Sequence, residues 1–268
     1  MIVDCHCHLW TAPPDGGPWE GATPLARYLS RAARAGIDRT ILFAAPQPDY
    51  DRANRAVAAV VARHPDRLDG FAFVHARAQR GRIHAVVREA VESYGFRGIK
   101  VHRLDAPITQ EICEAARAFD LPITYDVMAH SSEVEALASS FADVVFIIPH
   151  LSSFDERGAI PAQLALVSSL VRFPNVYADT SAVRTFDVLA YAVRRAGSHK
   201  VLFGTDGPWL HPGLELAKVR ALGLPAADER LILGGNVLRI LGGRRRRAPL
   251  RRHLRDRVAP AASGAPDR

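Results

Sequence analysis

The stretch "MIVDCHCHLW" at the start of the sequence carries His6 and His8 with Cys5 and Cys7 interleaved. Side chains alternate along an extended strand, so His6 and His8 share one face and the two cysteines share the other. Two imidazoles at i and i+2 can hold one cation between them. A Cys2His2 zinc site from these four residues alone is geometrically poor, because the two pairs face apart. The expectation is that the histidines point inward to a site and both cysteines point outward, packing as small hydrophobes. Further groups able to bind a metal or move a proton stand at the ends of later apolar runs. They are His75, Lys100 with His102, Asp126, His150, Asp179 and Asp206.

The runs that carry them are "MIVDCHCH", "RTILFAA", "LDGFAFVH", "RGIKVH", "LPITYDV", "VVFIIPH", "NVYADTS" and "KVLFGTD". Each is short, rich in branched and aromatic residues, and bounded by turn formers, as strands are. Their near-continuous apolar character suits a parallel sheet covered on both faces. Between them lie Ala-rich stretches of helical spacing with clear stops. One runs from Pro24 to Gly36, one ends at Pro65, one begins after Pro107 with Thr109 at the N-cap, and one ends at Pro174. Eight such β-then-α units in about 240 residues predict a single (β/α)8 barrel, a TIM barrel, over residues 1–241. An open doubly wound sheet would want a Gly-rich phosphate turn after its first strand, and histidines stand there instead. In a barrel the C-terminal strand ends converge on one mouth, so residues scattered over 200 positions would face one another.

The bulk properties bound the alternatives. The net charge of +7 points to nucleic acid only until it is located: residues 242–268 hold nine arginines and two aspartates, which leaves 26 basic and 26 acidic groups in the rest. That Arg-rich segment, with its glycines and prolines, reads as a disordered, solvated tail, and no specific nucleic-acid binding is expected. Three cysteines form no disulfide framework and suit a reducing compartment. No basic and apolar leader is evident, and no apolar run reaches the ~18 residues a membrane span needs, so a cytoplasmic protein with no membrane partner is expected. A homodimer is compatible with these features.

The motifs "VDCHCH", "GIKVH", "FIIPHLSSF", "NVYADTS", "VLFGTDGPW" and "LILGGNVLRIL" resemble the amidohydrolase superfamily. The likeness is to its amidohydrolase-related branch, which includes aminocarboxymuconate-semialdehyde decarboxylase-like enzymes, and it covers residues 1–241. The resemblance implies a distorted TIM barrel with one divalent metal at its mouth, zinc first, with manganese or iron as alternatives. His6 and His8 match the first two ligands. His150 matches a sixth-strand histidine that binds metal or hydrogen-bonds water or substrate. Asp206 matches a last-strand aspartate that binds metal and handles a proton. Asp126 stands where the family usually has a ligand histidine. It can serve as an oxygen ligand, His130 can reach in from the next loop, or metal binding can be lost. A fourth-strand lysine is carbamylated in binuclear relatives, whereas here Lys100 is read as a substrate-binding or charge-balancing group.

With His150 and His102 placed to stabilise an oxyanion or donate a proton, the catalytic set is Asp206, His150 and His102. Arg103 and Arg184 are placed to bind a substrate carboxylate, and Trp209 and His211 to wall the pocket. The expected function is a metal-dependent hydrolase of a small carboxylated substrate. A metal-dependent decarboxylase on the same scaffold is the alternative, and a barrel without chemistry the third reading.

Overall fold

The structure is a computed structural model that describes residues 1–10, 24–152 and 159–242. The Arg-rich segment beyond residue 242 lies outside the described residues. Eight parallel strands form the wall: β1 (Val3–Leu9), β2 (Arg39–Ala44), β3 (in two pieces, Leu68–Gly70 and Ala72–Phe73), β4 (Ile99–His102), β5 (Ile123–Asp126), β6 (Phe146–Ile148), β7 (Val176–Asp179) and β8 (Val201–Leu202). The first piece of β3 pairs with β2 and the second with β4, so β3 joins the two halves of the sheet. The barrel closes where the Cys5 amide donates to the Phe203 carbonyl at 2.9 Å and the His8 amide to the Gly207 carbonyl at 2.6 Å. The expected (β/α)8 barrel is the observed fold.

Helices α1 (Pro24–Arg34), α2 (Tyr50–Arg63), α3 (Ile83–Glu92), α4 (Gln110–Ala118), α5 (Ser132–Ser140), α6 (Ala159–Arg172), α7 (Phe186–Ala196) and α8 (Pro212–Arg220) cover the outside. Short α9 (Ala226–Arg230) and α10 (Asn236–Gly242) end the described chain. Their boundaries follow local chemistry. Asp49 caps α2 by accepting from the Arg52 amide at 2.9 Å, satisfying a donor the helix leaves open. Gly36, at φ +80°, ends α1 in the left-handed conformation that a side chain disfavours. No helix among the described residues is long and apolar enough to cross a membrane.

Two apolar layers result. The larger lies between strands and helices, and the smaller fills the barrel, with Ile41, Phe43, Phe71 and Ile147 pointing inward and Val237, Ile240 and Leu241 of α10 joining them. Cys7 belongs to the outer layer as expected, but Cys5 belongs to the inner one. The reason is a register shift in β1: Asp4 pairs with Thr40 and Cys7 with Leu42, so three steps on β1 match two on β2. That extra residue breaks strict alternation and lets both Cys5 and His6 face inward.

Candidate metal centre

The mouth is built from strand ends whose inward positions carry polar groups. His6 and His8 come from β1, His102 from β4, Asp126 from β5 and Asp179 from β7; His150 follows β6, and Asp206 lies four residues beyond β8. All except Asp206 are buried. The loops after β5 to β8 are held in left-handed backbone at non-glycine residues. Met128, Ala129, His150, Leu151, Ser152, Ala182 and Asp206 all have φ between 49° and 68°. Such residues cost of order 1–3 kcal/mol each and persist only where surrounding contacts over-determine them. Here the Asp179 carboxylate, for example, accepts from the His150 amide at 3.0 Å.

Hydrogen bonds fix which ring nitrogens carry protons. His6 Nδ1 donates to Asp179 Oδ2 at 2.8 Å, and His8 Nδ1 donates to the Ala44 carbonyl at 3.0 Å. Their Nε2 atoms therefore present lone pairs, 3.1 Å apart, with Asp206 Oδ1 at 3.6 and 3.4 Å. Three acceptors converge with no proton between them, an arrangement that a cation relieves. His102 is the opposite tautomer: its Nδ1 accepts from the Leu104 amide at 3.1 Å, which leaves Nε2–H facing Asp126 Oδ2 at 3.4 Å. His150 Nδ1 donates to the Ser181 carbonyl at 2.9 Å, and its Nε2 lies 3.5 Å from the same Asp126 oxygen.

The mouth thus has two adjoining parts. His6, His8 and Asp206 form one. Asp126 with His102 and His150 forms the other, joined to the first where the His6 and His150 rings stand 4.9 Å apart. Asp126 is thus on the His102 side and outside the convergent trio. His6 and His150 also group with Asp179. That carboxylate is already occupied by His6 Nδ1, the amides of His150 and Ser181, and the Ser181 hydroxyl at 2.6 Å.

The electrostatics differ between the parts. Burial pushes His6 and His102 down to about 4, and His8 down as well, so all three are neutral near pH 7. Burial acts the same way on His150, but hydrogen bonding to Asp126 and the charges of Asp206, Asp126 and Asp179 outweigh it and raise it to about 9. Burial would raise the Asp126 carboxyl, but His150 and Lys100 outweigh it and hold it well below the usual range. Asp206 is lowered too, by His8 and His150 against burial.

Phe43 forms the floor: its ring lies 5.0 Å from that of His6, 4.7 Å from that of His8 and 5.1 Å from Lys100 Nζ. Lys100 is fully buried and its ammonium has no hydrogen-bond partner among the described residues; burial lowers its pKa. Trp209 packs edge-on against His8 at 4.5 Å and against Trp10 at 5.0 Å. The other expected neighbours are exposed or have partners of their own. Arg103 is tied to Glu133 at 2.8 Å, Arg184 is exposed, and His130 is exposed rather than reaching in. His211 caps α8 through Nδ1, and His75 Nδ1 accepts from the amides of Arg77 and Ala78. Sequence reasoning gave Asp179 no role beyond that of a polar group at a strand end and gave Phe43 none. Asp179 at a strand end was visible in the sequence, whereas its saturation by four donors was not.

The family model described as amidohydrolase matches residues 3–243. No curated protein sequence matches the chain. Among solved structures, 2,6-dihydroxybenzoate decarboxylase from Rhizobium aligns at 17% identity and TM-score 0.71, over 90% of this chain and 98% of that one. A dihydroxybenzoic acid decarboxylase from Polaromonas, with bound manganese and the inhibitor 2-nitroresorcinol, aligns at 18% identity and TM-score 0.66, covering 90% and 96%. A probable 2-pyrone-4,6-dicarboxylic acid hydrolase from Acinetobacter baumannii, with citric acid bound, aligns at 16% identity and TM-score 0.68, covering 90% and 99%. At these identities the likeness shows the barrel fold.

Proposed function

The chain belongs to the amidohydrolase family, and on that premise we propose that it is a metal-dependent hydrolase of a small carboxylated substrate, working at the barrel mouth. The observation that carries this is the convergence of His6 Nε2, His8 Nε2 and Asp206 Oδ1, with both Nδ1 protons committed elsewhere. These three would hold one divalent ion; the nitrogen and oxygen donors suit zinc first, and manganese or iron also. Such an ion supplies Lewis acidity, bringing the pKa of water toward ~7 and polarising a carbonyl oxygen.

The chain's own groups do the rest. Asp206, the one partly exposed member of the trio, accepts a proton from water on its carboxylate. His150, kept protonated by Asp126, offers a proton or a hydrogen bond at Nε2, and His102 offers Nε2–H. Asp126 orients both rings instead of completing the trio. Trp209 and Trp10 give the substrate an apolar wall. Lys100, whose buried Nζ has no hydrogen-bond partner among the described residues, offers a donor to an anionic substrate. Arg184, exposed in the loop after β7, would offer its guanidinium to a substrate carboxylate.

The geometry also suits a decarboxylase as the second reading: His150 Nε2, 3.5 Å from Asp126 Oδ2, stands at the mouth as a donor for the proton that replaces carbon dioxide. The similar structures include named enzymes of both kinds, all acting on small carboxylated rings. The test is metal analysis of the purified protein, followed by turnover of aromatic and pyrone carboxylates in 18O-labelled water. One zinc, manganese or iron per chain with label in the product supports the hydrolase. Carbon dioxide release without label moves the assignment to the decarboxylase. Absence of metal, with no gain of activity on adding it, overturns both.

A further inference from the structure

Asp206 does not sit on a strand. β8 is two residues long, and Phe203–Gly207 continues past it along β1, held there by few backbone bonds. What fastens this segment is Asp4, which faces outward on β1. Its Oδ1 accepts from the His6 amide at 2.9 Å and from the Thr205 amide at 2.9 Å. Its Oδ2 accepts from the hydroxyls of Thr205 and Tyr28, and the Tyr28 oxygen lies 2.9 Å from Thr40 Oγ1 on β2. Thr205 Oγ1 in turn accepts from the Gly207 amide at 3.1 Å. One fully buried carboxylate therefore bonds to both sides of the closing seam, two residues before His6 and through the residue before Asp206. It also takes the amide at the register shift in β1, where a ladder partner is interrupted.

We propose that Asp4 is a positioning residue that clasps β1 to the Thr205–Asp206 segment, so that the first histidines and the last aspartate of the barrel face one another at ligand distance. This rests on the metal reading above. Four hydrogen bonds on one carboxylate, two of them from the segment that carries Asp206, fix a loop that the two-residue strand leaves loose. Asp4 bonds the backbone of His6 and of the Asp206 segment and no ligand side chain, so its loss acts on metal affinity through the placement of the donors.

The experiment uses the full chain and Mn2+ alone, or Zn2+ alone where Mn2+ does not bind, by calorimetry. Thr205→Val keeps the shape and removes the hydroxyl that bonds Asp4 and receives the Gly207 amide; it is expected to bind Mn2+ about tenfold or more weakly. Thr205→Ser, which retains the hydroxyl, restores the affinity. Asn175→Ala controls for general loss of stability: its amide donates to the Ala138, Phe141 and Val144 carbonyls at the other end of the barrel, and its affinity stays at wild type. Wild-type affinity in Thr205→Val overturns the clasp and leaves the metal reading standing. If the wild-type protein binds neither Mn2+ nor Zn2+, the metal reading falls, and the clasp is judged on the 15N ring signals of His6 and His8. Those move in Thr205→Val and stay in Asn175→Ala if the clasp positions them; unchanged signals overturn it.

Discussion

Asp179→Asn is a test of tautomer control with little change of shape. Asp179 is fully buried, with Oδ1 accepting from the His150 and Ser181 amides and the Ser181 hydroxyl, and Oδ2 from His6 Nδ1. In the variant the amide oxygen must take the Oδ1 position, because two backbone N–H groups there cannot turn away. The NH2 group then faces His6 Nδ1, which can only accept from it, so the single imidazole proton moves to Nε2. That removes one of the three lone pairs that converge on the proposed ion site. A lost orienting partner of this kind costs 10–100-fold in metal affinity, about 1.4–2.7 kcal/mol. Most of the packing and three of the four hydrogen bonds survive, so melting should shift by only a few degrees. Calorimetry with Mn2+ and the 15N spectrum of the His6 ring provide the readout. Wild-type affinity, or a His6 ring still protonated at Nδ1, would refute the reasoning.

Three further outcomes are expected. Asp206→Asn should abolish turnover with an unchanged circular dichroism spectrum; unchanged turnover removes Asp206 from the mechanism. Gly204→Ala places a methyl 3.1 Å from His6 Cβ, 3.2 Å from Asp179 Cγ and 3.3 Å from Ser181 Cβ, none of them the far end of a flexible chain. Overpacking should cost about 1–3 kcal/mol and lower Tm by several degrees, whereas Gly242→Ala, with open space around it, should melt as wild type. Asn175→Ala removes an amide that bridges the carbonyls of Ala138, Phe141 and Val144, of which Phe141 keeps the Val144 amide, and should lower stability by about 1–3 kcal/mol while leaving Mn2+ binding intact, as urea denaturation and calorimetry would show.

The barrel was legible because its signals are local. Runs such as "RTILFAA" and "LPITYDV" became strands, and stops at Gly36 and Pro174 became helix ends. The inward face of β4 followed period two, so spacing put Lys100 and His102 on one face, whereas Asp126 on β5 was placed by the resemblance. Period two failed at Cys5, because a register shift depends on the neighbouring strand and leaves no mark in its own residues. The same shift hid Asp4: strict alternation would put it inward with His6 and His8, whereas it faces outward to Tyr28, and nothing in the sequence connects it to Thr205. The separation of Asp126 from the trio was likewise invisible. It follows from the proton positions on His102, set by the Leu104 amide, and on His150, held by Asp126 and the Ser181 carbonyl, and spacing does not encode proton positions.

The seam joins residues 201 positions apart, one near the beginning of the chain and the other after the last strand. Its consequence is for folding. Closing so long a loop carries the largest entropy cost of any contact in the sheet, and it is the step that brings Asp206 to His6 and His8. An ion that binds only the closed barrel adds RT ln(1 + [L]/Kd) to its stability, about 2.7 kcal/mol at a hundredfold excess over Kd. That stabilisation falls on the last closure and not on the β2–β7 pairings. Ion supply would then govern how often the finished barrel reopens along β1, and so how long the paired edges of β1 and β8 stay hidden from other chains.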